Sequence, residues 1–217
     1  VTEQNFAVRR VQPRGKNRRA VFFTHDHESI TYHCERNPDD PRVAHALTLE
    51  VDGFGNVLKS AAISYGRSQN DPALDPADQA RQSTLLITTT ENDFTGIIDS
   101  TGDYRTPLLC ETRSYELTGL ALPSGHDRFT FDEVASAAAT ATPIDYEQSP
   151  TVGKKQKRVI DGKRSIYRRN DLSGPLPLGQ MESLALLYES HRLAFTPGLI
   201  TGVYGGRATN AMVSDDG

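Results

Sequence analysis

The sequence predicts a mainly β fold of antiparallel strands and hairpins, with one or two short helices in the connections. Three observations carry this. Tyr, Phe, Val, Ile and Thr gather in short runs, and Pro, Gly, Asn and Asp punctuate them. Leu47, Leu49 and Val51 alternate with Thr48 and Glu50, which is the period of a half-buried strand. Only 36% of the residues are hydrophobic and the mean hydropathy is −0.51, so apolar side chains suit thin sheets better than a thick core.

In chain order, strands are expected over 7–12, 20–24, 29–35, 43–52, 57–66, 84–95, 108–117, 157–168 and 183–195. Residues 25–28 are expected to be a hairpin loop with solvated polar side chains. A short helix is expected over 75–82, where Pro76 and Asp78 suit a first turn. A second is expected over 132–140, an Ala-rich run with acids at its start. Both lie in connections and read as decorations on a sheet. The stretch 143–153 holds two prolines and one glycine and reads as a loop entering a basic strand. An internal boundary there is compatible with the pattern, but residues 1–217 read as a single β-rich segment.

The clearest local unit is a hairpin over 43–66. Asp52, Gly53, Gly55 and Asn56 tolerate the positive φ of a tight reversal. Pairing Asp52 with Val57 would set Glu50 opposite Lys59, whereas a slip of one residue would set Leu49 there, so charge favours the first register. Leu47, Leu49, Val51, Ile63 and Tyr65 are the residues expected to pack or pair with neighbouring strands.

Charge limits the partners. The chain has 24 Lys and Arg against 28 Asp and Glu, a net charge of −4. That balance argues against a protein that coats duplex nucleic acid, and against a polybasic membrane anchor. No run approaches the roughly 20 apolar residues that cross a bilayer, so no direct membrane insertion is expected. The chain opens on Val1-Thr2-Glu3 without a basic-then-apolar leader and reads as a segment of something longer. Cys34 and Cys110 lack the spacing of a zinc knuckle, and whether they pair stays open.

Several groups invite a chemical reading. His25-Asp26-His27, with His33 and His45, offers imidazole and carboxylate ligands to zinc or iron; the competing reading is the solvated loop. Asp39, Asp40, Asp52, Glu111 and Glu116 would serve a glycosidase only if two faced one bond, and 37–41 reads more simply as a proline-stiffened loop. Ser64 and Ser124 neighbour glycines without a nucleophile elbow, and 202–207 is Gly-rich without the ending of a phosphate loop. Lys154, Lys155, Lys157 and Arg158, followed by Lys163, Arg164, Arg168 and Arg169, form a basic run that is either a solvated face or a contact surface. No catalytic residue, metal ligand or cofactor is assigned, and an enzyme is not expected.

Val51-Asp52-Gly53-Phe54-Gly55-Asn56-Val57 resembles a YD or RHS repeat, with valine in place of the usual tyrosine. Tyr115-Glu116-Leu117-Thr118-Gly119-Leu120 resembles a second, more degenerate copy. Ala20-Val21-Phe22-Phe23-Thr24-His25, the stretch from Tyr32 to Arg42, and that from Leu47 to Ser60 resemble the middle region of the B component of bacterial insecticidal toxin complexes (Tc toxins), of the TcdB/TcaC-like, SpvB/RHS type. The resemblance continues through Tyr104 to Leu108, Cys110 to Arg113, Tyr167 to Leu172, Pro175 to Gly179 and Phe195 to Leu199.

The resemblance implies a structural role. In that family the B and C components build a hollow β-shell that encloses the toxic payload of C for delivery through the pore-forming A component. The implied partners are the C component with its payload and, through the rest of the chain, the A component. The implied destination is extracellular. The family's self-cleaving aspartates belong to C and match no position here. A discrete β module binding the A component, a host surface or a glycan is the alternative, and a hydrolase using His25 and His27 comes third.

Overall fold

The structure is a computed structural model that describes residues 1–35 and 37–213. Its strands are β1 (Thr2–Gln12), β2 (Val21–His33), β3 (Arg42–Val51), β4 (Val57–Ser64), β5 (Leu86–Phe94), β6 (Ile98–Ser100), β7 (Asp103–Arg105), β8 (Leu109–Thr118), β9 (Thr142–Pro143), β10 (Gln156–Tyr167) and β11 (Leu187–Arg192). Helices are α1 (Pro76–Gln82), α2 (Phe131–Thr140), α3 (Pro197–Tyr204) and α4 (Asn210–Val213), with a 3-10 turn at Gly205–Arg207. The fold is mainly β, and the pairs β1–β2, β2–β3, β3–β4, β8–β10 and β10–β11 are antiparallel.

The chain divides into two compact units: Val1–Thr89 with Ala121–Ala139, and Thr90–Leu120 with everything from Thr140 on. β5 supplies residues to both.

In the first unit β1, β2, β3, β4 and the start of β5 lie in that order. One face is buried. Cross-strand register sets Ile30 opposite His45, His45 opposite Ile63 and Leu47 opposite Ala61, and all five are buried, as are Tyr65, Ile87 and Thr89. Ala44, Ala46, Ala62 and Ser64 point to the other face and are exposed. The 121–139 segment adds Phe129, Val134 and Ala137 to the buried set, the last two fully shielded from solvent. α2 is therefore part of the core rather than a decoration, because its apolar face is what the open sheet face lacks.

Two strand expectations need correction here. Residues 25–28 are not a hairpin loop: β2 runs unbroken through them, and the register passes from Asn5 opposite Glu28 to Phe6 opposite Asp26. His27 is the extra residue of a β-bulge, and residues 25–28 resemble a loop because all four are polar although they continue the strand. β1 also begins five residues earlier than expected, over polar residues held by ladder hydrogen bonds rather than by burial.

In the second unit the end of β5 is followed by β8, β10 and β11, with β9 parallel to the start of β10. Cys110, Tyr167 and Leu176 form the buried cluster, with Leu108 and Met181 packed against it. Ile200 of α3 is also buried. The expected strand over 183–195 shrinks to β11, since Ala185 adopts a positive φ of 49° that breaks an extended run. α3 and the β6–β7 hairpin were not expected. Thr196 caps α3 with Pro197 at its first turn, and Gly102 turns the small hairpin at φ +93°. Gly119 does take a positive φ, yet the strand that pairs with β8 is β10, so 115–120 is not a hairpin turn of the kind at 52–56.

Candidate interaction sites

The 52–56 turn is built around one carboxylate. Asp52 Oδ1 accepts from the backbone N–H of Phe54 at 2.8 Å and of Asn56 at 2.9 Å, while Oδ2 accepts from the Asn56 side-chain amide at 2.9 Å. The Asp52 N–H donates to the Asn56 carbonyl at 3.0 Å, closing the loop. Gly55 has φ +92°, and a Cβ there would sit 3.0 Å from the Phe23 ring, so the position needs glycine on both counts. Gly53 faces open space.

The register beside the turn differs from the expected one in a single respect. Glu50 does oppose Lys59, with Lys59 Nζ donating to Glu50 Oε2 at 2.6 Å. However, Val51 rather than Asp52 opposes Val57, because Leu49 and Leu58 are each skipped in the ladder. The carboxylate is thereby freed to fold inward onto the turn's own N–H groups.

Burial pushes the Asp52 carboxyl up, but the hydrogen bonds from the Asn56 side chain and from the turn backbone outweigh it and hold the group below the usual carboxylate value. A depressed pKa stabilises the fold above the unfolded-state value, near 4, and that contribution is lost as the pH falls through the lower folded value. The urea midpoint of Asp52→Asn is therefore expected to lie below that of the parent at pH 7. The gap should narrow steadily below pH 4, and a gap independent of pH would count against the ionised cap.

Of the five residues expected to pack or pair, Leu47, Ile63 and Tyr65 are buried, whereas Leu49 and Val51 are half-buried and line an open cleft of about 230 Å³. Arg9, Phe23, His25, His27 and Phe131 line the same cleft. The Phe23 and His25 rings lie 5.6 Å apart and the His27 and Phe131 rings 4.3 Å apart. His25 Nδ1 donates to the Asp26 carbonyl at 2.8 Å. Asp26 pairs with Phe6 and is exposed while both histidines turn towards the cleft, so strand alternation separates the carboxylate from the imidazoles. Among the described residues, no three or more His, Cys, Asp or Glu side chains converge as a metal cage.

His45 is 1% exposed and joins a chain of hydrogen bonds. Its Nε2–H donates to Glu28 Oε1 at 2.7 Å, and its Nδ1 lies 3.0 Å from the Tyr65 hydroxyl. The Tyr65 oxygen in turn accepts the Phe129 N–H at 3.0 Å. With Glu28 taking the Nε2 proton, Nδ1 is the acceptor for the Tyr65 hydroxyl, and every member has a partner. These bonds tie β2, β3 and the residue after β4 to the 121–139 segment.

Asp39 is exposed, and the other candidate acids have structural partners for their carboxylates. Asp40 accepts from Ser68 Oγ at 2.9 Å and from Arg67, which also donates to Glu35 at 2.9 Å; Arg42 bonds Glu35 as well. The Ser68 hydroxyl is the main reason the Asp40 carboxyl sits below its ordinary range. Glu111 is bridged by Arg164 at 2.7 Å and Arg113 at 3.3 Å, and Glu116 by Arg158 at 2.5 Å. Three members of the basic run, Lys157, Arg158 and Arg164, are paired with acids in the same way. Lys157 donates to Glu91 at 2.7 Å, and its ammonium lies 4.6 Å from the centre of the Tyr115 ring. Lys154 and Lys155 remain exposed in the loop before β10. Both cysteines are free thiols. Ser124 lies in an exposed turn, and 202–207 forms the end of α3 and the 3-10 turn.

One basic cluster escaped notice in the sequence. Arg9, Arg10, Arg14, Lys16, Arg18 and Arg19 lie on and around the β1–β2 connection, with no acid between Glu3 and Asp26. The overall charge balance hides it, and a sliding charge count would reveal it.

Residues 1–106 match the sequence profile described as the insecticide toxin TcdB middle/C-terminal region. A search of curated proteins gives no match. Among solved structures, the chain resembles the crystal structure of TcdB2-TccC3, with TM-score 0.72 and 21% identity over 98% of this chain and 10% of that one. The Photorhabdus luminescens Tc holotoxin pore gives TM-score 0.69 and 21% identity, again over 98% of this chain and 10% of the other. At such identity the likeness is one of fold. The chain spans about a tenth of the length of the solved chains it matches. Among the described residues, no helix is long and apolar enough to cross a membrane.

Proposed function

We propose that this chain is a non-enzymatic wall segment of a secreted Tc-toxin B component, which with the C component forms the hollow β-shell around the toxic payload. The observation that carries the reading is that one fold covers 98% of this chain while occupying only 10% of the matched chain in the TcdB2-TccC3 crystal structure. Physical features support it. The first unit's sheet buries one face and leaves small residues on the other, and β1 ends its strand order with an open edge. A wall has two such faces, and its edges are covered by neighbouring strands. The partners are then the C component directly and the A component through the rest of the B chain. Leu47, Ile63 and Tyr65 hold the wall together, and Asp52, Gly53, Gly55 and Asn56 set its reversal.

The test is protease protection of C in complex with the full-length B chain. Intact B is expected to shield the payload. Ile63→Asp, which places a carboxylate on the buried sheet face, should leave B and C co-purifying but the payload open to cleavage. A payload cut equally fast with and without intact B would overturn the reading.

A further inference from the structure

We propose that the tip of the β1–β2 hairpin is a docking surface for an acidic segment of another polypeptide. All six cations at 9–19 are exposed, and among the described residues none has an ion-pair partner, although the Arg9 guanidinium stands 5.7 Å from the centre of the Phe23 ring. Elsewhere arginines such as Arg67, Arg113, Arg158 and Arg164 are matched to carboxylates. The tip itself is held in shape, since Asn17 N–H donates to the Arg14 carbonyl at 2.6 Å and its side-chain amide to the Pro13 carbonyl at 3.4 Å.

The chemistry selects among polyanions. Five of the six cations are arginine, whose planar fork pairs with carboxylates through two hydrogen bonds. Directly behind them lie exposed Val8, Val11, Val21 and Phe22. An apolar centre with arginine around it is the composition of a protein interface. A bilayer anchor would lead with its apolar residues, yet 13–19 contains no large apolar side chain beyond Pro13. A single-stranded nucleic acid would want successive aromatic platforms, and Phe22 is the one exposed aromatic flanking the tip. The rest of the sequence has 18 cations against all 28 acids, so a long polyanion is repelled away from the hairpin while a short acidic segment touches the hairpin alone.

The experiment uses the full-length chain and a fluorescein-labelled peptide of alternating glutamate and valine, read by fluorescence anisotropy. Arg14→Glu/Arg18→Glu/Arg19→Glu is expected to weaken binding at least about tenfold, and raised salt should weaken the parent in the same direction. Lys154→Glu/Lys155→Glu, equally exposed, should leave binding unchanged. If the triple variant loses its parent circular dichroism, the single variant Arg18→Glu reads the same contact, with about a threefold loss. Equal affinity of parent and tip variant, or an equal loss in the lysine control, would overturn the proposal. So would tighter tip-dependent binding of oligo-dT or of phosphatidylserine vesicles, which would reassign the surface to nucleic acid or lipid. Payload protection is measured separately, so failure here leaves the wall reading intact.

Discussion

Gly119→Ala is expected to destabilise the chain by about 3 kcal/mol, the sum of left-handed backbone strain and overpacking. Gly119 follows β8 with φ +79°, and a Cβ there would lie 1.9 Å from the Lys154 carbonyl oxygen and 2.3 Å from its carbon. Neither backbone atom can swing aside as a side chain would. Relief requires moving the 154–155 backbone, which lies next to the point where Thr118 pairs with Gln156 and its hydroxyl donates to the Gln156 carbonyl at 3.3 Å. Gly125→Ala supplies the control. Its φ of +81° is nearly the same, but nothing lies within 4 Å of the added atom, so only about 1 kcal/mol is expected there. Urea midpoints of the two variants separate backbone strain from collision. Equal shifts would mean that the close approach of β8 to the loop before β10 is not as drawn.

His45→Ala is expected to cost about 3 kcal/mol as well, for a different reason. The ring is fully enclosed, so its removal leaves a cavity and takes away the donor for Glu28 and the acceptor for the Tyr65 hydroxyl. Tyr65→Phe should cost less, about 1 to 2 kcal/mol, because the shape is kept while the Phe129 N–H loses its acceptor. Hydrogen exchange gives a readout specific to this chain of bonds. The Phe129 amide should exchange faster in both variants, whereas the Ile63 amide should change only as far as global stability falls. Unaltered protection at Phe129 would show that the 121–139 segment is held by Val134 and Ala137 alone.

How much of this was legible beforehand depends on where the information lies. The β3–β4 hairpin could be read because alternation, turn residues and the Glu50–Lys59 pair all specify one reversal. Residues 2–6 of β1 and 25–28 of β2 could not, since the former are exposed on both faces and the latter are polar throughout, so neither shows an apolar alternation and each is held by its ladder. α2 was read as helical, but not as core, because only the tertiary fold says which face of Val134 and Ala137 is covered. Of the candidate site residues, the turn was visible in the types Asp, Gly and Asn. The pairing of Lys157, Arg158 and Arg164 with Glu91, Glu116 and Glu111 was hidden, since the partners lie at least 42 residues away in the chain.

The interleaving of the two units has a consequence for how the chain is made. The first unit takes residues 1–89 and then 121–139, so during synthesis its sheet exists before Phe129, Val134 and Ala137 have left the ribosome. The 64-residue separation between Tyr65 and the Phe129 amide it accepts from makes this a late, high-contact-order event. At ribosomal rates of about 5–20 residues per second, Ile30, Leu47 and Ile63 stay uncovered for several seconds. Nascent chains are therefore most open to misassembly or chaperone capture between the emergence of β5 and that of α2. A synonymous-codon pause that holds the ribosome after β5 has emerged and before α2 has should lengthen that window and lower the soluble yield, while the same pause after α2 has emerged should not.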